Sequence, residues 1–139
     1  MRFLPSAAIT VAGGVRLTRA WRKFVATTIY KICPKKLWES AEKAGHFAGA
    51  PIDERDGFIH FSTAAQLAET AAKHFAGADD LVLVAADAGA LGDTLKWEPS
   101  RGGALFPHLY GRLPLPAVRW VAPLPLGIDG IHAFPELAP

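Results

Sequence analysis

The sequence predicts a mixed α+β fold. The first observation behind this is compositional: the chain has 139 residues, half of them hydrophobic and 20% charged, enough for one packed core and too apolar for a disordered chain. The second is that runs rich in β-branched and aromatic residues recur from Thr27 onward. The third is that stretches with apolar residues at helical spacing lie between those runs, in no regular strand-helix order.

TTIYKI (27–32) reads as a strand stopped by Pro34. KKLWESAEKAG (35–45) reads as a helix: Leu37, Trp38, Ala41 and Ala44 form one apolar face, and Gly45 suits its C-terminal cap. GFIHFS (57–62) is a second strand, running into Thr63-Ala-Ala-Gln66, which has the form of a capping box. The helix that follows carries Leu67, Ala68, Ala71 and Phe75 on one side and ends near Gly77. LVLVAA (81–86) is apolar on both faces, as a central strand is, and TLKWE (94–98) is exposed on one. After a Gly-rich turn at Arg101 to Gly103, FPHLYG (106–111) and AVRWVAPL (117–124) supply the last extended segments, with proline confining some of them to sheet edges. The word HFAGA occurs at 46–50 and 74–78, but its flanks differ, so shared helix-end chemistry explains it better than duplication.

A net charge of +2 argues against broad electrostatic binding of nucleic acid. The single cysteine, Cys33, has no internal partner, and no Cys/His spacing resembles a zinc site, so a reducing compartment and no metal are expected. The longest uncharged apolar run, Phe3 to Val15, is 13 residues, short of the roughly 18 a spanning helix needs. A cytoplasmic protein without stable membrane insertion is expected.

Charge is unevenly placed. Residues 1–26 hold Arg2, Arg16, Arg19, Arg22 and Lys23 and no acid, which leaves ten of the 15 basic residues against all 13 acids in the rest. The segment can be read as a weak secretory signal or a membrane-surface element. It can equally be read as a poorly ordered basic extension, with Val25 as an alternative start. The division carried forward is an extension over 1–26 and a single domain over 27–139.

Strand alternation points to a site, because residues two apart share a face. If Ile59 and Phe61 enter the core, Phe58, His60 and Ser62 face the other way. Burying Leu95 and Trp97 turns Lys96 and Glu98 outward, and Leu109 inward leaves His108 and Tyr110 together. In the first strand Tyr30 and Ile32 oppose Lys31. Were these strands to share a sheet, one face would collect Lys31, His60, Ser62, Glu98, His108 and Tyr110, a set suited to catalysis or polar ligand binding. Singly, each has a plainer reading as a solvent-side residue, and Ser62 and Thr63 as helix caps. His46 and His74 sit at helix ends, His132 is expected to be exposed in the C-terminal tail, Asp79 and Asp80 to form a turn, and Cys33 to be packed.

IYKI (29–32), GFIHFST with Gln66, LVLVAAD, KWE and above all FPHLYGRLPLPAV resemble the bacterial family called domain of unknown function 952, over residues 28 to about 125. The resemblance implies an ADP-ribosylation-like fold: a compact, split antiparallel β core with flanking helices and an NAD-sized cleft between the sheets. It also implies NAD as a substrate and a small nucleotide-like ligand as the partner. The positions similar to that fold's ligand contacts are Lys31 on the early strand, His60 with Ser62 and Thr63 in the second motif, and Glu98 or His108 late. Lys31 departs from the family, many members of which carry His there.

In that chemistry Glu98 would stabilise positive charge on the ribose as nicotinamide leaves. His60 and Ser62 would hold the ribose or the amide, Lys31, Arg101 or Arg112 the pyrophosphate, and Tyr110 would stack on a flat ring. Three readings stand: an ADP-ribosyl or related transferase, a non-catalytic module that keeps the cleft without the chemistry, and general acid-base hydrolysis by His60 and His108. The last requires the two rings within about 10 Å.

Overall fold

The computed structural model describes residues 27–138, together with the backbone pair Thr10–Val11 (β1) and Val15–Arg16 (β2). The extension expected over 1–26 otherwise lies outside the described residues, as does the side chain of Arg101.

The domain opens with β3 (Thr28–Pro34) and α1 (Lys35–Ala44), which ends on Gly45 at φ 88° as its sequence predicts. A two-residue strand β4 (His46–Phe47), a short helix α2 (Pro51–Asp56) and β5 (Ile59–His60) follow. Next come α3 (Leu67–His74), β6 (Leu81–Asp87), β7 (Leu95–Pro99) and β8 (Leu105–Leu109). The last elements are β9 (Leu113–Pro114) and β10 (Val118–Leu124). The result is α+β, with every described strand pair antiparallel.

Two three-stranded sheets carry the fold, ordered β10-β6-β3 and β5-β8-β7, with β4 and β9 pairing separately. The first corrects an expectation, because Lys31 belongs to a different sheet from His60, Glu98 and His108. Among the described residues the backbones of the two sheets pair at one bridge, where Tyr30 and Ser62 exchange hydrogen bonds of 2.8 Å in both directions. Beyond it β3 and β5 share no further bridge among the described residues.

β6 is buried on both faces, as its uninterrupted apolar run requires. One core joins Ile29, Cys33 and Val84 of the first sheet to Ile59, Phe61 and Leu109 of the second and to Trp38 of α1. On the opposite face Tyr30, Ile32 and Leu83 pack with Leu67 and Ala71 of α3 and with Phe134 and Leu137 of the tail. The Tyr30 hydroxyl donates to the Ala138 carbonyl at 2.7 Å and accepts from its N–H at 2.9 Å, tying the tail to β3.

Two placements depart from the alternation argument. Trp97 is 40% exposed: β7 is an edge strand, so among the described residues no strand flanks it on one side. His132, expected to be exposed, is buried: its Nε2 bonds the Ala78 carbonyl at 2.7 Å, where the tail turns back over the sheet. Cys33 is packed as expected, and burial pushes its thiol up to about 12, which leaves it inert at neutral pH.

Candidate functional site

Where the sheets diverge, a cavity of about 550 Å³ opens along the outer edge of β3, within the usual size of small-molecule sites. Lys31, Ile32, His60, Ser62 and His108 line it, with Asp56 of α2 and His74 of α3.

A buried polar cluster behind this wall grows from α2. Pro51 at its first position presets the helical φ, and Asp53 at the third accepts the Ala50 N–H at 2.7 Å, so the turn starts without a hydroxyl cap. This bond aims the Asp53 carboxylate inward. There it meets the Lys31 ammonium at 2.9 and 3.0 Å, His60 Nδ1 at 2.6 Å and the His60 N–H at 3.1 Å. Gly49 makes the approach possible: it sits at φ +112°, and a Cβ there would lie 2.9 Å from the Asp53 Cβ.

Asp53 is 2% exposed and Lys31 6%. Burial pushes the Asp53 carboxyl up, but the hydrogen bond from His60 and the Lys31 ammonium together outweigh it and bring the group to about 2. Because the folded value lies below the ordinary 3.8, the stabilisation is complete above pH 4 and is lost as pH falls through about 2. We expect a loss of about 2 kcal/mol over that window. Urea midpoints at pH 5 and pH 2 measure it, with Asp53→Asn flattening the fall. A wild-type midpoint unchanged down to pH 2 would contradict it.

The second half of the site comes from β8. Cross-strand register places His108 opposite both His60 and Lys96. The buried His108 ring directs Nδ1 to Glu98 Oε1 at 2.7 Å, and the Tyr110 hydroxyl donates to the same oxygen at 2.8 Å. The hydrogen bond from His108, helped by that from Tyr110, holds the Glu98 carboxyl below its ordinary range, and Glu98 in turn pushes the Tyr110 hydroxyl up. Phe58 stacks on His108 with centroids 4.1 Å apart and meets His60 at 4.6 Å, fixing both rings. The two imidazoles stand edge to face at 5.5 Å. This lies inside the limit that acid-base cooperation requires.

Of the residues singled out in the sequence, Lys31, His60, Ser62 and His108 reach the cavity wall. Lys31 differs from expectation: it is buried in an ion pair, not displayed on a polar face. Ser62 Oγ lies 3.0 Å from Thr70 Oγ1. Thr63 stays in the helix start, its N–H donating to Gln66 Oε1 at 2.9 Å. Glu98 and Tyr110 stand behind His108 and not on the wall. Arg112 is exposed, and the Arg101 side chain is outside the described residues.

Asp53 and Asp56 were missed. PIDERDG reads as a charged surface turn, and its one inward signal was Pro at a helix start followed two residues later by Asp. Among the described residues no group of three His, Cys, Asp or Glu side chains is placed to hold a metal ion, and no helix is long and apolar enough to cross a membrane.

Comparison with known proteins gives a family and a solved relative. A family model described as "Protein of unknown function (DUF952)" matches residues 32–121. No curated protein matches the chain. The crystal structure of protein CC0527 from Caulobacter crescentus is similar at 50% identity and a TM-score of 0.74, over 77% of this chain and 94% of that one. The solution NMR structure of CC0527 is similar at 50% identity and a TM-score of 0.68, over 75% and 90% of the two chains.

Proposed function

The chain belongs to the DUF952 family of proteins of unknown function, and from that premise we propose that its cleft binds NAD or an ADP-ribose-like ligand and supports transfer or hydrolysis at the ribose. The same reading takes the split antiparallel core as ADP-ribosyltransferase-like, and the protein as bacterial and cytoplasmic.

One observation carries the proposal. Tyr30 turns its N–H and C=O away from β6 toward Ser62, and residues two apart on a strand direct these groups to the same edge. Ile32 therefore presents its N–H and C=O to the cavity, past the point where Ser62 ends the pairing, at a residue only 4% exposed. Such a buried edge is costly to leave unpaired. A primary carboxamide, with one acceptor and two donors in a plane, complements it, and nicotinamide carries that group.

With the carboxamide on Ile32, the ribose would lie toward His60 and His108. The bond from the ribose carbon to nicotinamide breaks with its electron pair leaving on nicotinamide, and an oxygen of water or of an acceptor hydroxyl forms the new bond. His108 takes the proton released by that oxygen: Nδ1 donates to Glu98, so the other ring nitrogen is the base. Glu98 acts through His108, stabilising the imidazolium, in place of the direct contact with the ribose expected from the sequence. Ser62 holds the sugar, while His60, its Nδ1 committed to Asp53, stands beside it.

The alternative of a non-catalytic module keeps one observation in its favour: Lys31 is committed to Asp53, so it brings no unpaired charge to a pyrophosphate. Incubation with NAD labelled in the nicotinamide separates the two. Nicotinamide release supports the enzyme, and saturable binding without release supports the module. No change in melting temperature with either NAD or ADP-ribose would remove both.

A further inference from the structure

Both ring nitrogens of His60 face carboxylates, Nδ1 on Asp53 at 2.6 Å and Nε2 on Asp56 at 3.0 Å. A neutral imidazole would turn a lone pair toward one of the two carboxylates, so the protonated ring fits this pair of contacts better. With that ring, Lys31, Asp53 and His60 sum to one positive charge, and Asp56 neutralises it.

The two carboxylates are held very differently. Asp53 is buried and also accepts from Lys31, the Ala50 N–H and the His60 N–H, so moving it would orphan every one of them. Asp56 is the last residue of α2, and its side chain is 33% exposed. Its other contact is the exposed Arg55 guanidinium at 3.3 Å. Turning Asp56 out into water breaks one ion-pair contact of substance and uncovers His60 Nε2 on the wall of the cavity that both residues line.

We infer that His60 Nε2 is an oxyanion subsite, which Asp56 fills with its own carboxylate and which a phosphate group of the ligand takes over by displacing it. Phosphate as the incoming group rests on the nucleotide reading above; the subsite itself rests on His60, Asp53 and Asp56. The ring suits the task because Asp53 and Phe58 fix its position, and a charged donor binds an anionic oxygen more strongly than a neutral one.

Calorimetric titration of the full chain with inorganic phosphate, and separately with ADP-ribose, tests this. Asp56→Asn and Asp56→Ala should each bind phosphate about tenfold more tightly than the wild type, and adding His60→Gln should abolish the gain. Thermal melts establish that each variant is folded. Phosphate affinity unchanged in both Asp56 variants, or a gain that survives His60→Gln, would overturn the subsite. A phosphate gain with no binding of ADP-ribose or NAD sinks the nucleotide reading and leaves the subsite standing. Nucleotide binding indifferent to Asp56 does the reverse.

Discussion

Asp53→Ala is expected to remove about 3–5 kcal/mol of stability, the loss that follows when one partner of a buried ion pair is deleted and the other keeps its charge. The stranded group is Lys31, 6% exposed in the middle of β3, where the Asp53 carboxylate supplies both of its described ion-pair contacts. The N–H of Ala50 loses its acceptor at the same time, which unties the start of α2. Lys31→Met should be milder, because Asp53 would still accept from His60 and two backbone N–H groups. The double variant Lys31→Met/Asp53→Ala should therefore lose less than the sum of the single losses. Urea unfolding of the four proteins reads this out. Additive losses, or an Asp53→Ala protein within 1 kcal/mol of wild type by the usual span of exposed pairs, would mean that the pair does not hold α2 to β3.

His108→Ala is expected to lower nicotinamide release by about 10²–10⁴-fold, the range contributed by a general base. The more discriminating variant is Glu98→Gln. Glu98 touches His108 and Tyr110 but not the cavity, so its loss should fall on kcat with KM nearly unchanged. The amide can offer its NH₂ to Nδ1 and so favour the tautomer in which the outer nitrogen is a donor, unable to accept the proton. Combining Glu98→Gln with His108→Ala should add little to His108→Ala alone, since both act through one ring. A Glu98→Gln enzyme with raised KM and normal kcat would place the carboxylate against the substrate, as the sequence alone had led us to expect.

Much of the scaffold was legible because it follows from local rules. The apolar run Leu81 to Ala86 could only be a strand covered on both sides, and Gly45 could end α1 because it adopts a left-handed φ. The period of two in GFIHFS placed His60 and Ser62 opposite Ile59 and Phe61, and the same period in FPHLYG paired His108 with Tyr110. Those rules failed where an element met solvent or a tail instead of a neighbour. Trp97 looked inward by period, yet its place at the edge of the sheet leaves it exposed. His132 looked like tail, yet the tail folds back onto Ala78.

Alternation along single strands thus decided by itself which side chains share a face, since that depends on backbone geometry within a few residues. Which faces meet was decided only in three dimensions. Asp53 lies 22 residues from Lys31, and its burial depends on Gly49 giving way, on α2 turning inward and on the sheets parting after Tyr30. A carboxylate in PIDERDG is chemically the same whether it faces water or a lysine. Only the tertiary contact supplies the partner that makes its burial tolerable, and with it the charged wall of the cavity.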